Sequence, residues 1–455
     1  MDDLSSKFKE IFRPDVCDEC GLCFSRCPEL HLPEGEAKAE IRRLMQGESK
    51  HVLWRCTSCF SCDTYCPRGC LPYELILACW NDLHQRRGAP PITRMVLPNE
   101  EPNLWSTLDV LLPEDERRTL QAWAAQTPIE DEDILLTGCF TNLIPYISYT
   151  GLLRSLVPIG TPDLWCSGGH IYQLGWLRAV EQIGRRVQHS LARVKKVVTF
   201  MGAEYTMLSH ILPRQFGIEF DFEVQPLMDW LWSMIEGGEI ALTDQLGQRV
   251  TVHDNCFSKA EGDRFFDLAR RLVEATGCEV VEMVHNREDA LCCGFGAGAS
   301  YVHPINIPFD IVAGGIRRIR EAEETGAEAL VVHCSACLFI LCVAREICGS
   351  RMSIYHVLEL VQLASGEEPA HRHRERAWQI IVAITYQFLH SLFRRSFQIK
   401  DIPPQIEEGK AKRRYVLLKA IHLALRSRLV RWLYMSGFRS ILAARSLLVH
   451  RGGAK

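Results

Sequence analysis

Val250-Thr-Val-His-Asp-Asn-Cys256-Phe257 repeats the pattern of Ile134-Leu-Leu-Thr-Gly-Cys139-Phe140: a short apolar run that breaks into a loop at a cysteine. Further along, Trp165-Cys166-Ser167-Gly168-Gly169 answers to Leu291-Cys292-Cys293-Gly294-Phe295. Then Val197-Val-Thr-Phe-Met201-Gly-Ala-Glu204-Tyr205 answers to Val331-Val-His333-Cys334-Ser-Ala-Cys337-Leu338. Each unit reads strand, cysteine loop, helix, cysteine loop, strand, cysteine loop, and an internal repeat of this kind sets the reading of the whole region. From Ile134 to about Ser365, β-like runs alternate with amphipathic stretches, which is the α/β pattern. The strands expected are Ile134–Leu136, Val194–Phe200, Arg249–Val252, Glu279–Met283 and Ala329–Val332.

The two copies differ in chemistry. The second holds Cys256, Cys292, Cys293, Cys334 and Cys337; the first keeps Cys139 and Cys166, with Ser167, Met201 and Glu204 at the other three positions. Five soft ligands from three loops are too many for tetrahedral zinc or an ordinary cube, and suit an opened, non-cubane iron–sulfur cluster. A zinc ion, or simple packing of the thiols, is the alternative. The first copy reads as a structural half-domain. His253 and His333 flank the cysteines and could carry protons, with ordinary pKa values near 6.5, or only hydrogen-bond backbone. Gly294-Phe-Gly296-Ala-Gly298 resembles a dinucleotide loop, but it follows a cysteine pair rather than a strand, so no nucleotide site is read there.

Upstream, Cys17-x-x-Cys20-x-x-Cys23-x-x-x-Cys27-Pro28 and Cys56-x-x-Cys59-x-x-Cys62-x-x-x-Cys66-Pro67 both follow the ferredoxin run for [4Fe–4S] clusters. In that run the fourth cysteine ligates the other cluster. One cube is therefore expected on Cys17, Cys20, Cys23 and Cys66, the second on Cys56, Cys59, Cys62 and Cys27. Paired structural zincs would match the ligand count but do not call for the triple spacing plus Cys-Pro, twice over. Cys70 and Cys79 fall outside the pattern and read as packing cysteines.

The chain has 455 residues, more than one core accommodates, with 47% apolar and 24% charged residues. That composition excludes a disordered or fibrous chain. With no apolar leader at the N-terminus, the 20 cysteines point to metal or redox chemistry rather than a secreted disulfide framework. The net charge of −4 conceals an asymmetry: 18 Lys/Arg against 4 Asp/Glu from His371 onward. There, two basic apolar stretches flank Asp401-Ile-Pro-Pro404, and Ala377–Phe393 is the nearest approach to a membrane span. Apolar residues interleaved with Arg favour a membrane surface or a membrane subunit over nucleic acid, on the cytoplasmic side; packing on the chain's own body is the third reading. The layout expected is 1–90 for the two-cluster domain, 91–133 for a Pro-rich linker (Pro90, Pro91, Pro98, Pro102), 134–248 and 249–370 for the repeats, and 371–455 for a basic amphipathic helical tail. The fold class is an α+β ferredoxin-like N-terminal domain, an α/β duplicated domain and an α-helical extension.

An eight-cysteine ferredoxin domain followed by two such repeats resembles the CCG-domain iron–sulfur proteins typified by the D subunit of heterodisulfide reductase. With one intact repeat, the chain is similar to the K subunit of the sulfite-reduction-associated membrane complex and the iron–sulfur subunit of the high-molecular-weight cytochrome complex. The resemblance implies two cubane [4Fe–4S] clusters and one non-cubane [4Fe–4S] cluster on Cys256, Cys292, Cys293, Cys334 and Cys337. It implies an oxidoreductase subunit, peripheral on the cytoplasmic side of the inner membrane. Electrons would pass between a membrane cytochrome b or quinone module and a disulfide substrate or small thiol protein. The iron–sulfur subunits of glycolate oxidase and anaerobic glycerol-3-phosphate dehydrogenase are also similar. They make the alternative a relay from a flavoprotein to quinone.

Overall fold

The structure, a computed structural model, describes residues 3–97, 100–128, 132–296, 306–392, 394–397 and 415–452. Pro98, Gly298 and the interval Asp401–Pro404 lie outside these. Two four-stranded sheets carry the middle of the chain. The first contains β1 (Ile134–Leu136), β2 (Val157–Ile159), β3 (Lys196–Thr199) and β4 (Glu223–Pro226), in the order β2-β1-β3-β4. The second contains β5 (Arg249–His253), β6 (Glu279–Val280), β7 (Ala329–Val332) and β8 (Ser353–His356), in the matching order β6-β5-β7-β8. All pairings are parallel.

β1 and β7 are buried along their whole length, and β3 and β5 at every position but the first, as strands covered on both faces should be. Register then places the cysteine loops. Leu136 pairs with Thr199, so the loops to Cys139 and Met201 start side by side. His253 pairs with Val332, so those to Cys256 and Cys334 do the same. In open parallel sheets the C-terminal edge is where loops converge on ligands.

Where an α+β arrangement was expected, the described residues of the N-terminal domain form helices and loops only, from Asp3–Ile11 to Pro72–Arg87. Its sequence has no run of alternating polarity to form strands, and the cysteine loops turn through one-turn helices such as Leu22–Ser25 and Ser61–Thr64. The helix Glu34–Met45 lies between the two cysteine motifs.

The segment expected to be a linker is folded. Asn103 caps a helix at Leu104–Asp109 through the Ser106 amide at 2.8 Å, and a second helix spans Glu114–Ala125. Both are held by the helix His373–Ser391, whose Gln387 donates to the Asn103 carbonyl at 2.8 Å. The Arg376 guanidinium meets the fully buried Glu116 carboxylate at 2.5 Å. The uncharged stretch after Ala377 is therefore a core helix, with Ile380, Ile381, Val382 and Ala383 buried. Among the described residues no helix is long and apolar enough to cross a membrane. Exposed large apolar residues gather instead on the helices Val416–Ala424 and Arg428–Gly452.

Candidate metal centre

Strand β5 delivers His253, Asp254, Asn255 and Cys256 in succession. The buried Asp254 accepts both terminal nitrogens of Arg270, at 2.9 and 3.0 Å, and the Arg287 amide at 2.7 Å. Burial pushes its carboxyl up, but these donors outweigh burial and hold it below the usual range. Asn255 accepts from the Ser258 amide and its amide nitrogen lies 3.1 Å from His333 Nδ1, tying the first cysteine loop to the third. Gly294, at φ +106°, makes the turn after the paired cysteines; a Cβ there would collide with the Ile311 carbonyl and stand 2.8 Å from the Gly315 nitrogen. Its amide donates to Cys292 Sγ at 3.4 Å.

One cavity is lined by Cys256, Cys292, Cys293, Cys334 and Cys337 together. The thiols are close enough to share protons. Cys293 is held well below the usual thiol range by hydrogen bonds from Cys292 and Cys337, and Cys334 is lowered by Cys337. Burial pushes the Cys256 thiol up. His253 has one ring nitrogen within 4.8 Å of the Cys293 and Cys337 sulfurs. Its Nδ1 accepts from the fully buried Arg318 at 3.0 Å, which leaves the proton on Nε2. Burial lowers His253, and lowers His333 to about 4, so both are neutral at pH 7.

The ferredoxin-type cysteines gather in two groups that cross the motifs. Burial drives the Cys23 thiol well above its ordinary value, and charge on Cys66, Cys20 and Cys17 adds to the effect. Cys27 is raised to about 12 by burial and then by Cys59, while Cys56 responds to burial, Cys59 and Cys27. Amides point at the sulfurs, Ser58 N to Cys56 and Cys70 N to Cys66, each at 3.3 Å. Cys70 and Cys79 are buried. The Cys79 sulfur donates to the Leu44 carbonyl.

The groups adjoin one another. Among the charges acting on Cys62 is Cys23 of the other group, and among those acting on Cys256 and Cys292 is Cys59. Around that last junction stand residues that the repeat and the cysteine spacings did not disclose. Gln173 donates to the Ser58 carbonyl at 2.9 Å and to Cys256 Sγ at 3.2 Å. The buried Lys259 donates to Ser61 Oγ at 2.5 Å and the Ala290 carbonyl at 2.7 Å, and Ser61 Oγ lies 3.3 Å from Cys59 Sγ. Neither has a sequence signature, because partners so distant in the chain meet only through tertiary packing.

From the first repeat, Cys139, Cys166, Ser167, Met201 and Glu204 line the same cavity as the five cysteines, joined by His170. His170 directly follows the Cys166–Gly169 stretch of the repeat, where its signal was available.

The chain carries two recognisable modules. Residues 9–67, which include all eight ferredoxin-type cysteines, match the 4Fe–4S dicluster domain, and residues 250–341, which include the five of the second repeat, match the cysteine-rich CCG domain. Over 398 residues the chain is 24% identical to the D subunit of dihydromethanophenazine:CoB–CoM heterodisulfide reductase of Methanosarcina barkeri, covering 78% of this chain and 95% of that one. It is 23% identical over 401 residues to EtfAB:quinone oxidoreductase of Syntrophomonas wolfei, covering 73% of this chain and 55% of the relative. A protein of Chromohalobacter salexigens named "probable membrane-anchored ferredoxin" is 25% identical over 318 residues, 64% of this chain and 44% of its own length. The chain thus spans about half of the latter two. With its 4Fe–4S dicluster and CCG modules, the chain is similar to subunits of oxidoreductases of the heterodisulfide reductase type.

Proposed function

We propose that this chain, built from a 4Fe–4S dicluster domain and a CCG domain, relays electrons in a membrane-associated redox complex to or from a disulfide or thiol substrate at the five-cysteine cavity. The observation that carries this reading is the contiguity of the three cysteine groups, with Cys59 beside Cys256 and Cys292. Cys17, Cys20, Cys23 and Cys66 would hold one cubane [4Fe–4S] cluster and Cys27, Cys56, Cys59 and Cys62 the other, which lies next to the cavity. Five sulfur donors in a single cavity fit a non-cubane [4Fe–4S] cluster on Cys256, Cys292, Cys293, Cys334 and Cys337 better than one closed-shell ion, which takes four. Such a cluster supplies single electrons and an open iron for a substrate sulfur.

The chain's own residues set the surroundings. Arg318 fixes the tautomer of His253, and Gln173 anchors Cys256 to the Ser58 loop. Two electrons and two protons convert one disulfide into two thiols. Both imidazoles beside the cysteines are neutral at pH 7, and each has Nδ1 taken up by a donor, Arg318 for His253 and Asn255 for His333, so each carries its proton on Nε2 and offers an N–H rather than a lone pair. The membrane association rests on the C-terminal helices. Leu429, Trp432 and Leu433 are exposed on them, and Trp432 lines a cleft together with Arg345, Arg351, Arg374, Arg428, Arg431 and Arg439, a cationic surface suited to the cytoplasmic face.

The test is electron paramagnetic resonance on anaerobically purified full-length protein containing about twelve irons, three sets of four. A signal from the five-cysteine site that changes on adding a disulfide or thiol substrate supports the reading. An unchanged signal with stoichiometric zinc at that site removes the proposed chemistry. A second reading, transfer from a flavoprotein to quinone, is favoured by the likeness to EtfAB:quinone oxidoreductase. It predicts co-purification with a flavoprotein and reduction of this chain by that partner.

A further inference from the structure

Arg318 is a fully buried guanidinium on the helix Asn306–Glu324, and two glycines one turn earlier set its position. A Cβ at Gly314 would stand 2.8 Å from the Gly294 Cα. One at Gly315 would stand 2.8 Å from the Ala344 Cβ and 3.1 Å from the Cys293 carbonyl oxygen. Only glycine lets the helix rest directly on the turn that carries the paired cysteines. The next turn then brings Arg318 to His253, and its Nε donates to His253 Nδ1 at 3.0 Å.

The guanidinium is held in turn from its other side. Nη1 donates to Glu321 Oε2 at 2.6 Å and to the His285 carbonyl at 2.7 Å. The second carboxylate oxygen of Glu321 accepts from the His285 amide at 2.6 Å and from His285 Nδ1 at 2.9 Å. Burial pushes the Glu321 carboxyl up, but Arg318 and the His285 donors outweigh burial and hold it below the usual range. It is therefore ionised and can only accept. His285 and Glu321 line an outer cleft, so a continuous line runs from that cleft toward the cysteines: His285, Glu321, Arg318, His253. It is not a proton wire, because a guanidinium does not give up its proton in a protein.

The line fixes a donor instead. With Nδ1 accepting from Arg318, the His253 proton is on Nε2. That N–H is buried and has no hydrogen-bond partner among the described residues. An unmet buried donor is costly, and the acceptors nearby are sulfurs: one ring nitrogen lies within 4.8 Å of those of Cys293 and Cys337. His333 repeats the arrangement by other means, with Nδ1 accepting from Asn255 and Nε2 buried and likewise unmet. We propose that His253 is a fixed hydrogen-bond donor to sulfur at the five-cysteine site, not a carrier of protons, and that Glu321, acting through Arg318, positions it. The inference deepens the redox reading of that site and rests on it. A donor to sulfur stabilises the reduced, more negative state and so raises the potential. The two protons that turn released thiolates into thiols then come from solvent.

The test uses full-length protein purified anaerobically with its iron. In oxidised protein labelled with nitrogen-15 histidine, the ring signals lost in His253→Leu identify this imidazole. They should show the proton on Nε2, and Glu321→Gln should move it in part to Nδ1. Redox titration followed by EPR should place the midpoint of the five-cysteine signal about 59 mV lower in His253→Leu, a tenfold change in the one-electron equilibrium. Glu321→Gln should lower the midpoint too, with iron unchanged, and should add nothing once His253 is leucine. Loss of a negative charge acting through space alone would raise the potential. A rise, no change or an additive loss therefore overturns the positioning role. A proton on Nδ1 in the unaltered protein, or an unchanged midpoint in His253→Leu, overturns the donor role. Should Glu321→Gln fail to fold, Arg318→Met combined with Glu321→Gln leaves neither charge of the pair behind and is read in the same way. If the five-cysteine site gives no paramagnetic signal, the redox reading fails, while the tautomer in Glu321→Gln still confirms or refutes the positioning.

Discussion

Gly296 lies against Thr57 so closely that a Cβ at position 296 would collide with the Thr57 carbonyl oxygen and stand 2.9 Å from its carbon. The two residues belong to the CCG loop and the second ferredoxin-type loop, so this contact sets the distance between the last two cysteine groups. Gly296 is not among the positive-φ glycines, so its small size rather than its backbone freedom is what the site requires.

Gly296→Ala should therefore part the two loops. Overpacking at a backbone–backbone contact costs about 1–3 kcal/mol, read as a lower urea midpoint with unchanged slope. Electron transfer from the ferredoxin-type clusters to the CCG site should slow in the same variant. An unchanged midpoint and rate would show that the loops do not touch.

Cys293→Ala tests the five-cysteine site itself. Disulfide turnover should disappear while both ferredoxin-type clusters still accept electrons, because Cys293 lies with Cys292, Cys334 and Cys337 and apart from the other two groups. Full turnover would take the chemistry away from this site.

Lys259 places a buried ammonium group one hydroxyl away from Cys59. A cation stabilises the reduced, more negative cluster, so Lys259→Met should lower the potential of the cluster on Cys27, Cys56, Cys59 and Cys62. An electrostatic loss of about 1 kcal/mol corresponds to roughly 40 mV for a one-electron couple. Redox titration followed by EPR measures it; a potential that stays put or rises contradicts the assignment of Cys59 to a cluster.

Buried histidines give the fold an acid limit. Burial lowers His84 to about 4, against which its bond to the Leu174 carbonyl works only in part. The unfolded chain takes up that proton near pH 6.5 and the folded chain only near 4, so stability is full above 6.5 and falls as pH drops through this window. The loss attributable to His84 is on the order of 3 kcal/mol. His84→Gln keeps a donor but cannot titrate. Its stability difference from the unaltered protein should shrink between pH 7 and 4, and a constant difference in urea unfolding would exclude the linkage.

The central strands and the cysteines were legible in sequence for one reason: each is fixed by its own residue types. Apolar runs buried on both faces gave β1, β3, β5 and β7 nearly to the residue. The strands not expected, β2, β4 and β8, are all sheet edges. Val157-Pro-Ile and Glu223-Val-Gln-Pro contain proline, and Ser353-Ile-Tyr-His is mixed in polarity. Such segments need a neighbouring strand before they are strands at all. The helix His373–Ser391 was read as part of a tail because its Arg376, Gln379 and Gln387 conceal a core position. Their partners, Glu116, the Leu111 carbonyl and the Asn103 carbonyl, lie more than two hundred residues earlier. Spacing within a motif can disclose a ligand set, but not the glutamine and lysine that join one motif to the next.

A core helix at His373–Ser391 changes how membrane attachment should be tested. Deleting everything from Arg372 would strip that helix, and loss of membrane binding would then report unfolding. The exposed residues of the final helices separate the two effects. Leu429, Trp432 and Leu433 are each more than half exposed, so replacing all three by serine should leave iron content and the urea midpoint within about 0.5 kcal/mol of the unaltered protein. The same variant should move from the membrane fraction to the supernatant. Replacing Arg351 and Arg428 by glutamine should weaken binding to anionic vesicles more than to neutral ones, and added salt should reproduce that loss by screening. If the triple variant stays with the membrane, attachment lies elsewhere on the chain or on a partner, and the arginine-lined cleft is only a solvated face.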